Sequence, residues 1–444
     1  MKHLKSLILA SSMVLSAAAT AIGAPDPNFY IYLCIGQSNM EGNASIEPQD
    51  RIDVPERFKM MATVDFDYPA RKQGKWDKAV PPLVRQYTGL TLMDYFGRTM
   101  LDNLPENVTV GVVPVAIGGC KIEHLDKDYD PATVAKEAEW FKGFMKAYDN
   151  TPYKRLIECA KEAQKDGVIK GILLHQGESN TGDPQWPAKV NKVYTDILGD
   201  LGLNADDVPL LAGEVVTAEE GGHCAAMNPI INTLPQTIAN SHVISAANIP
   251  QKGDGLHFTA HGYRVLGCRY ATKMLNLMGI DKPAINYNEA EPFIPEPKPT
   301  KDDYVFDFKH FNPNIKADGA FDETTNTFTA GRYVFGGWKY DTPVDLSGYK
   351  YIVAELEEND SNGVEFKVFD TADYNEVPYM SRFNRGKLIV AELDGMMKNL
   401  DSGITPLKTS AIYGVGFMGR GTEPIRIKHV FATNTNPFSA AKGK

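Results

Sequence analysis

Short apolar segments alternate with longer amphipathic segments from Phe29 to about Gly279. The apolar segments predict strands at Phe29–Ile35, Val108–Ile117, Val168–His175, Val208–Val215 and His242–Ala247. The amphipathic segments predict helices at Leu90–Leu101, Pro152–Lys165, Pro187–Leu198 and Thr259–Met278. Several strands are apolar at consecutive positions, which is expected when helices cover both faces of a sheet. The pattern therefore predicts an α/β fold, a three-layer sandwich with a parallel, flavodoxin-like sheet.

The pattern changes after a proline-rich segment. Lys282–Lys301 contains five prolines among acidic and polar residues, a composition that favours a semi-rigid extended linker. From Tyr304 to about Thr433, aromatic and β-branched residues alternate with polar ones, as in Val364–Phe369. This alternation predicts a C-terminal all-β domain, either a sandwich or a jelly roll.

The 444 residues exceed what one hydrophobic core usually serves. We expect an α/β domain at residues 25–281, a linker at 282–302, an all-β domain at 303–437 and a tail at 438–444. Residues 1–24 contain two lysines and then an Ala- and Ser-rich apolar stretch that ends in small residues, which is typical of a cleavable signal peptide. A permanent membrane helix is the alternative, although the stretch is short for one. We therefore expect a secreted or periplasmic protein that is not inserted in a membrane after signal removal.

Composition narrows the choice of partners and ligands. The formal net charge of -10 offers no basic surface for phosphates, so nucleic acid is not an expected partner. The five cysteines are scattered without short paired spacing, and no C-x-x-C zinc pattern occurs. The cysteines therefore predict neither a metal site nor a particular disulfide.

A serine follows the first predicted strand directly, in the segment Gly36-Gln37-Ser38-Asn39-Met40-Glu41-Gly42. Open α/β sheets bind ligands at the carboxyl ends of their strands. A serine in such a turn can expose its hydroxyl and aim its own N–H at an anion, as acyl transfer requires. A helix cap is the alternative role for Ser38, and this segment alone does not decide between the two.

A second segment, Asp254-Gly255-Leu256-His257-Phe258, precedes the predicted C-terminal helix of the α/β domain. A base and its orienting carboxylate can lie three residues apart in one turn, so that one ring nitrogen is held while the other faces a serine. The pattern is weak alone, since turns before helices often contain both residue types. Combined with Ser38, it predicts a triad.

Two further segments end predicted strands: Ala116-Ile117-Gly118-Gly119-Cys120 and His175-Gln176-Gly177-Glu178-Ser179-Asn180. An oxyanion hole needs preorganised donors aimed at one point, and a glycine N–H, a serine N–H and an amide side chain would supply them. A tight turn and an ordinary polar strand end are the alternative explanations. Four such elements at successive strand ends are much less expected by chance.

These four segments, Gly36–Met40, Gly118–Gly119, His175–Glu178 and Asp254–Phe258, resemble the conserved blocks of the SGNH-hydrolase superfamily. Their residue sequences, with Gln-Ser-Asn-Met in the first block and His-Gln-Gly-Glu in the third, resemble those of the branch that contains sialate O-acetylesterases and the acetyl xylan esterases of carbohydrate esterase family 6. The resemblance covers roughly Phe29 to Met278 and is specific as an ordered set. It implies a serine esterase that needs no metal or cofactor and removes acetyl groups from a polysaccharide or oligosaccharide, with acetylated xylan or a related plant polysaccharide as the expected substrate.

Carried over by residue, the resemblance implies Ser38 as nucleophile, His257 as general base and acid, and Asp254 as orienting carboxylate. The N–H groups of Ser38 and Gly119 and the amide of Gln176 would form the oxyanion hole. The glutamine stands where the wider superfamily has an asparagine, as it does in this branch.

The role of Glu178 stays open, because this branch also assigns that glutamate to the triad. Either Glu178 or Asp254 could contact the imidazole. Gln37, Asn39, His124 and His223 are further candidates for substrate binding because they lie in or near the motif segments, although a structural role is the commoner one for such histidines.

Two other functions fit the same sequence. The first is a related esterase that acts on a sialic acid or a small acyl ester, because the catalytic blocks fix the chemistry and not the leaving group. The second is a carbohydrate-binding protein that works through the β domain. Five aromatic residues there could stack on sugar rings: Tyr333, Trp338, Tyr340, Tyr374 and Tyr379.

Overall fold

The structure is a computed structural model. It describes residues 24–67, 69–285, 287, 297–357, 364–375, 379–381, 383–385, 387–393, 397–400, 403–421, 423–435 and 437. Residues 1–23 of the predicted signal peptide, residues 286 and 288–296 of the predicted linker, and the predicted tail lie outside this range. Among the described residues, no helix combines the length and apolar character needed to cross a bilayer.

The N-terminal part is built around a seven-stranded sheet with the strand order β3-β2-β4-β1-β5-β6-β7. Its strands are β1 (Phe29–Gly36), β2 (Phe58–Met61), β3 (Trp76–Lys78), β4 (Thr109–Ala116), β5 (Val168–His175), β6 (Leu210–Gly213) and β7 (Ser241–Ile244). All neighbouring pairs are parallel except β2 and β3, which are antiparallel. The parallel sheet that the sequence predicts is confirmed. The short strands β2 and β3 at its edge were not predicted.

Helices cover both faces of this sheet. They are α1 (Ser38–Glu41), α2 (Pro48–Arg51), α3 (Leu92–Asn103), α4 (Glu139–Lys146), α5 (Pro152–Ala163), α6 (Trp186–Leu201), α7 (Asn228–Ile231), α8 (Leu234–Thr237) and α9 (Ala260–Leu277). Buried apolar residues of α4, α5 and α6 belong to the core on one face, and those of α3 and α9 to the core on the other. The three-layer sandwich is therefore confirmed.

The central strand β1 shows why its sequence is apolar at consecutive positions. Ile31, Leu33 and Ile35 belong to the core on one face of the sheet, and Tyr32 and Cys34 to the core on the other. Successive side chains of a strand point to opposite faces, so a strand covered on both faces buries every residue. The carboxyl end of β1 is thus a rigid position for the residues that follow it.

The C-terminal part consists of antiparallel strands. They are β8 (Tyr304–Val305), β9 (Phe311–Lys316), β10 (Gly319–Asp322), β11 (Thr327–Ala330), β12 (Phe335–Val344), β13 (Tyr351–Leu356), β14 (Phe366–Phe369), β15 (Tyr379–Ser381), β16 (Phe383–Arg385), β17 (Leu388–Glu392), β18 (Met397–Leu400), β19 (Gly403–Pro406), β20 (Ile412–Met418) and β21 (Ile425–Thr433).

These strands form two main sheets that pack against each other. One has the order β10-β11-β21-β13-β17-β16, with β8 paired to β21, and the other has the order β15-β14-β20-β12-β9. A single hydrophobic cluster contains residues of both sheets, among them Ile352 of β13 and Val415 of β20. The predicted all-β architecture is confirmed, and it is a sandwich.

The aromatic residues proposed for sugar stacking in the β region differ in their exposure. Trp338 and Tyr379 are fully buried in the core, and Tyr340 and Tyr374 are partly buried. Only Tyr333, of the five, is largely exposed, with 81% of its surface accessible. The prediction is therefore wrong for Trp338 and Tyr379, whose rings fill the core between the sheets.

The two parts of the chain contact each other through the segment that follows α2. Ile52 packs in a small apolar cluster with Tyr351, Val353 and neighbouring residues of the β region. The hydroxyl of Tyr351 also donates a hydrogen bond of 2.9 Å to Oδ1 of Asp53. The contact combines apolar burial with a directional bond.

Candidate active site

Ser38 lies at the edge of the parallel sheet where the carboxyl ends of the strands meet. It begins α1 immediately after β1 and is 8% exposed. The preceding residue, Gln37, is held because its side-chain oxygen accepts hydrogen bonds from the N–H groups of Gly177 and Ser179 at 3.4 and 3.2 Å. Two strand ends, those of β1 and β5, are thus joined directly beside the serine.

His257 lies within hydrogen-bond distance of this serine. Its Nε2 is 2.9 Å from the Oγ of Ser38, and its Nδ1 is 2.8 Å from Oδ2 of Asp254. The imidazole therefore lies between a hydroxyl and a carboxylate. In this arrangement Nδ1–H donates to the carboxylate, and Nε2 is free to accept the serine proton.

The Asp254 carboxylate organises the turn that carries the histidine. Its Oδ1 accepts hydrogen bonds from the backbone N–H groups of Leu256 and His257 at 2.9 and 2.8 Å. Partial burial alone would raise the pKa of Asp254, but the hydrogen bonds from His257 and these backbone groups bring it down to about 2. The carboxylate is therefore ionised at neutral pH.

Asn39 connects this turn to the helix that begins at the serine. Its side-chain N–H donates to the carbonyl oxygen of Leu256 at 2.9 Å and to Oε1 of Glu178 at 2.5 Å. Its side-chain oxygen accepts a hydrogen bond of 2.6 Å from the hydroxyl of Tyr263. These hydrogen bonds connect the segments of Ser38, Glu178 and His257. Asn39 was predicted to bind substrate, but it is fully buried and does not line the cavity described below.

Glu178 contacts Asn39, whereas the imidazole of His257 has its hydrogen bond from Asp254. Among the described residues, Oε2 of Glu178 has no hydrogen-bond partner although it is buried. Burial raises the pKa of Glu178 to about 7. Of the two carboxylates considered from sequence, the geometry pairs Asp254 with the histidine.

Gly119 lies in the turn after β4 and has a φ of +78°, which favours glycine. A Cβ at this position would lie 2.6 Å from the ring of Trp140, so the turn has no room for a side chain. Within the described part of the chain, no hydrogen-bond partner is found for the backbone N–H of Gly119 or of Ser38. Both residues line the cavity, so both N–H groups are candidate oxyanion donors.

Gln176, the third predicted oxyanion donor, does not face the cavity beside the N–H groups of Ser38 and Gly119. Its Nε2 faces three protein acceptors: Oδ1 of Asn180 at 2.8 Å, Oε1 of Gln37 at 3.1 Å and the carbonyl oxygen of Cys120 at 3.3 Å. Its Oε1 accepts a hydrogen bond of 2.5 Å from the indole of Trp186. An amide has two hydrogens, so these contacts use its donors, and the side chain does not line the cavity.

The two histidines predicted to bind substrate also lie outside the cavity. His124 is buried against Phe141, and its Nδ1 accepts a hydrogen bond of 2.9 Å from the N–H of Lys121. Burial lowers the pKa of His124, although Glu137 opposes this. His223 is exposed and lies against Gly255, whose carbonyl oxygen accepts a hydrogen bond of 2.8 Å from the N–H of His223. The cavity lining therefore gives no support to a substrate-binding role for either histidine, and that role stays a prediction.

A cavity of about 690 Å³ opens beside Ser38 and His257. It is lined by Gln37, Ser38, Glu41, Gly42, Asn43, Arg85, Gln86, Tyr87, Thr88, Gly118, Gly119, Trp140, Phe144, Glu178, Ser179, Cys224, Leu256 and His257. The lining thus combines the candidate catalytic groups with three aromatic side chains. Among the described residues, no group of three His, Cys, Asp or Glu side chains is arranged to hold a metal ion.

An ion pair that was not predicted from the sequence forms part of this lining. The guanidinium of Arg85 donates from Nε to Oε1 of Glu41 at 3.0 Å and forms a second contact with the same oxygen. Oε2 of Glu41 accepts a hydrogen bond of 3.1 Å from the N–H of Gly118, and Arg85 lies over the ring of Phe144 at 4.3 Å. The pair links α1 to the turn after β4.

Sequence reasoning missed Arg85, Tyr87, Trp140 and Phe144 because they lie outside the strand-end motifs. Glu41 belongs to the serine motif, but no charge nearby in sequence pointed to its partner. A search for charged residues in the loops before α3 and α4 would have found Arg85 only as one of several candidates.

The profile of a family described as carbohydrate esterase, sialic acid-specific acetylesterase, matches residues 28–276. This match covers more than half of the chain. The chain belongs to this carbohydrate esterase family. It is accordingly a carboxylic ester hydrolase.

Individual relatives are distant. A probable carbohydrate esterase of Arabidopsis thaliana is 24% identical over 274 residues, which cover 57% of this chain and 94% of the relative. The crystal structure of a protein from the same plant covers 56% of this chain and 99% of its own, with 20% identity and a TM-score of 0.45. A carbohydrate acetylesterase from Xanthomonas citri covers 90% of this chain and 80% of its own, with 15% identity and a TM-score of 0.40.

Proposed function

We propose that this esterase removes O-acetyl groups from a neutral polysaccharide, with acetylated xylan as the principal candidate, through a triad of Ser38, His257 and Asp254. The observation that carries the proposal is the position of His257, whose two ring nitrogens lie 2.9 Å from the serine hydroxyl and 2.8 Å from the aspartate. This is the hydrogen-bond relay that nucleophilic acyl transfer requires.

In the first half of the reaction, Oγ of Ser38 attacks the acetyl carbonyl carbon and its proton passes to Nε2 of His257. The carbonyl oxygen becomes an oxyanion, and the N–H groups of Ser38 and Gly119 stabilise it. Asp254 stabilises the imidazolium and keeps its ring in place. When the tetrahedral intermediate collapses, the sugar oxygen leaves and takes the proton from His257, and the acetyl group stays on Ser38.

In the second half, water enters the open cavity. His257 accepts a proton from the water as its oxygen attacks the acetyl carbonyl, and the same two N–H groups bind the new oxyanion. Collapse releases acetate and returns the proton from His257 to Oγ of Ser38. Asp254 stays ionised throughout, in keeping with its pKa of about 2. The cycle uses only groups of the protein and water.

The charges in the cavity lining support a neutral sugar. The arginine among its lining residues, Arg85, is paired with Glu41. A sugar carboxylate would have to compete with Glu41 for this cation. A neutral polysaccharide has no such requirement.

Acetate release from acetylated xylan, by wild type and by Ser38→Ala, tests the proposal. We expect the variant to lose at least about 10³-fold in kcat while keeping its thermal unfolding temperature. An O-acetyl sialic acid and p-nitrophenyl acetate serve as comparison substrates. Full activity in Ser38→Ala would refute the triad, and acetate release from the sialic acid alone would refute the neutral polysaccharide.

Removal of O-acetyl groups from a sialic acid is the second candidate function, since the family description itself names sialic acid. It requires Arg85 to turn from Glu41 to the sugar carboxylate. Glu41→Gln would then lower KM for an O-acetyl sialic acid, whereas KM for acetylated xylan would not fall.

We also propose that residues 25–281 and 303–437 are separate domains and that residues 1–24 are removed on export. The contrasting sheet types and separate hydrophobic cores support the division into domains. Mass spectrometry of the protein recovered outside the cytoplasm would test the cleavage.

A further inference from the structure

Two of the most exposed large apolar side chains lie on the cavity that contains Ser38. Tyr87 is 92% exposed and Trp140 is 58% exposed, and both line this cavity. Single exposed apolar residues are common on protein surfaces, but apolar groups gathered at the edge of a binding cavity indicate an interaction site. Their proximity to the same opening therefore calls for a functional explanation.

The backbone holds Tyr87 in a conformation that tyrosine rarely adopts. Its φ is +70°, in the left-handed region, where a residue other than glycine is strained. The turn is closed by hydrogen bonds of 3.2 and 2.8 Å from the N–H and the hydroxyl of Thr88 to the carbonyl oxygen of Arg85. A third bond, from the N–H of Asp67 to the side chain of Gln86, anchors the same turn at 2.9 Å. This turn keeps the ring in solvent at the edge of the cavity.

Trp140 packs against other aromatic residues. Its ring contacts the edges of Phe141 and Phe144, with centroid distances of 5.7 and 5.8 Å. It also lies against Gly119, where a Cβ would come within 2.6 Å of the indole. More than half of the side chain stays exposed, so a ring stacked on the indole would lie next to the candidate oxyanion donor Gly119.

We propose that Trp140 and Tyr87 form a binding site for the pyranose rings of a polysaccharide chain, on the rings beside the acetylated sugar. The proposal rests on the proposed function, and it adds that the substrate is a chain of several sugar rings. The cavity of about 690 Å³ is far larger than an acetyl group needs. Aromatic faces offer large, rigid contact areas to the apolar faces of sugar rings, and they need no charge on the ligand.

This site is distinct from the catalytic groups in what it controls. Trp140 and Tyr87 would position the chain, whereas Ser38 and His257 act on the ester. A short aryl ester reaches the serine without using the aromatic residues. The effect of removing either ring should therefore depend on substrate length.

The test uses the full chain and measures binding separately from hydrolysis. Xylohexaose, which carries no ester, is titrated into wild type, Trp140→Ala, Tyr87→Ala and Leu277→Ala, and the dissociation constant is measured by calorimetry. We expect each of the first two substitutions to weaken binding about tenfold. Leu277→Ala is the control, because Leu277 is also an exposed large apolar residue but does not line the cavity.

Hydrolysis gives the second readout. For Trp140→Ala and Tyr87→Ala we expect KM for acetylated xylo-oligosaccharides to rise about tenfold, while kcat/KM for p-nitrophenyl acetate stays within about twofold of wild type. Trp140→Phe, which keeps an aromatic ring, should recover part of the loss. Equal losses on both substrates would indicate a damaged fold and would overturn the proposal.

The two proposals can fail separately. If wild type binds xylohexaose through Trp140 and Tyr87 but does not release acetate from xylan, the substrate proposal fails and the binding site stands. If acetate is released but binding and KM are unchanged in both variants, the binding site is refuted and the esterase proposal stands. Absence of xylohexaose binding to wild type refutes the binding site as well.

Discussion

Asp254 lies in the partly exposed turn that carries His257, whereas Glu41 and Glu178 follow the ends of β1 and β5. The Asp254 side chain is 37% exposed and accepts hydrogen bonds from His257 and two backbone N–H groups. Glu178 is half-buried, with Oε1 bound to Asn39 and Oε2 buried without a hydrogen-bond partner among the described residues. The pKa of Asp254 is about 2 and that of Glu178 is about 7.

This difference shows that the depth of burial, together with the hydrogen-bond donors, decides what a carboxyl group does at this site. Burial raises the pKa of all three groups, but only at the more exposed Asp254 do the hydrogen-bond donors overcome it. Asp254 is therefore suited to hold a charged imidazole. Glu41 instead needs Arg85, and Glu178 takes up a proton near neutral pH.

The largest expected effect separates Asp254 from Glu178. We expect Asp254→Asn to lower kcat about 10³- to 10⁴-fold, because the amide would favour the wrong histidine tautomer. Glu178→Gln keeps an oxygen for Asn39 and should cost less than about tenfold. Initial rates with p-nitrophenyl acetate measure both. A larger loss in Glu178→Gln than in Asp254→Asn would reverse the roles of these two residues.

The next effect concerns the contribution of the buried Glu41–Arg85 ion pair to the free energy of unfolding. Glu41→Ala leaves the 14%-exposed Arg85 side chain without its carboxylate partner, and we expect the free energy of unfolding to fall by about 3 kcal/mol. Lys72→Ala is the control, because its pair with Asp65 is exposed (75% and 58%) and should contribute little to stability. Urea denaturation measures both, and equal losses would contradict the importance of burial.

The smallest expected effect is a pH dependence of stability due to Glu178. Its pKa rises from an ordinary value of 4.5 to about 7 on folding, so the folded state binds the proton more tightly than the unfolded state. The folded state therefore loses stability as pH rises from about 4.5 through 7.

Urea denaturation at pH 5 and pH 8 measures this loss in wild type and in Glu178→Gln. The variant should lose less stability between the two pH values than wild type does. Asp94, whose pKa burial also raises to about 7, titrates in both proteins, so the quantity to compare is the difference between them. Identical losses would show that Glu178 does not titrate in this range.

Hydrophobic patterning predicted the elements of the α/β part closely where burial is complete. The limits predicted for β5, Val168–His175, agree with the structure, and α5 and α9 lie within their predicted segments. The edge strands β2 and β3 escaped prediction because they are short and only partly apolar. Their formation depends on pairing with β4 and with each other, which is a tertiary effect.

The candidate site was predictable only in part. Ser38, Asp254 and His257 could be proposed because each lies in a motif at a strand end or before a helix, and the structure brings them together. Gln176 and His124 lie in or near such motifs as well, but their polar atoms are used within the protein. A motif places a residue near the site, whereas its neighbours decide whether its donors are free.

The sequence by itself determined the parallel α/β sheet, the all-β region and the ordered segments that contain Ser38 and His257. These follow from periodicity and local turn chemistry, which act over a few residues. Only the tertiary structure decided which carboxylate contacts His257, that Arg85 pairs with Glu41, and that Tyr87 and Trp140 lie exposed on one cavity. Such contacts join residues far apart in the chain, and their strength depends on burial and competing donors.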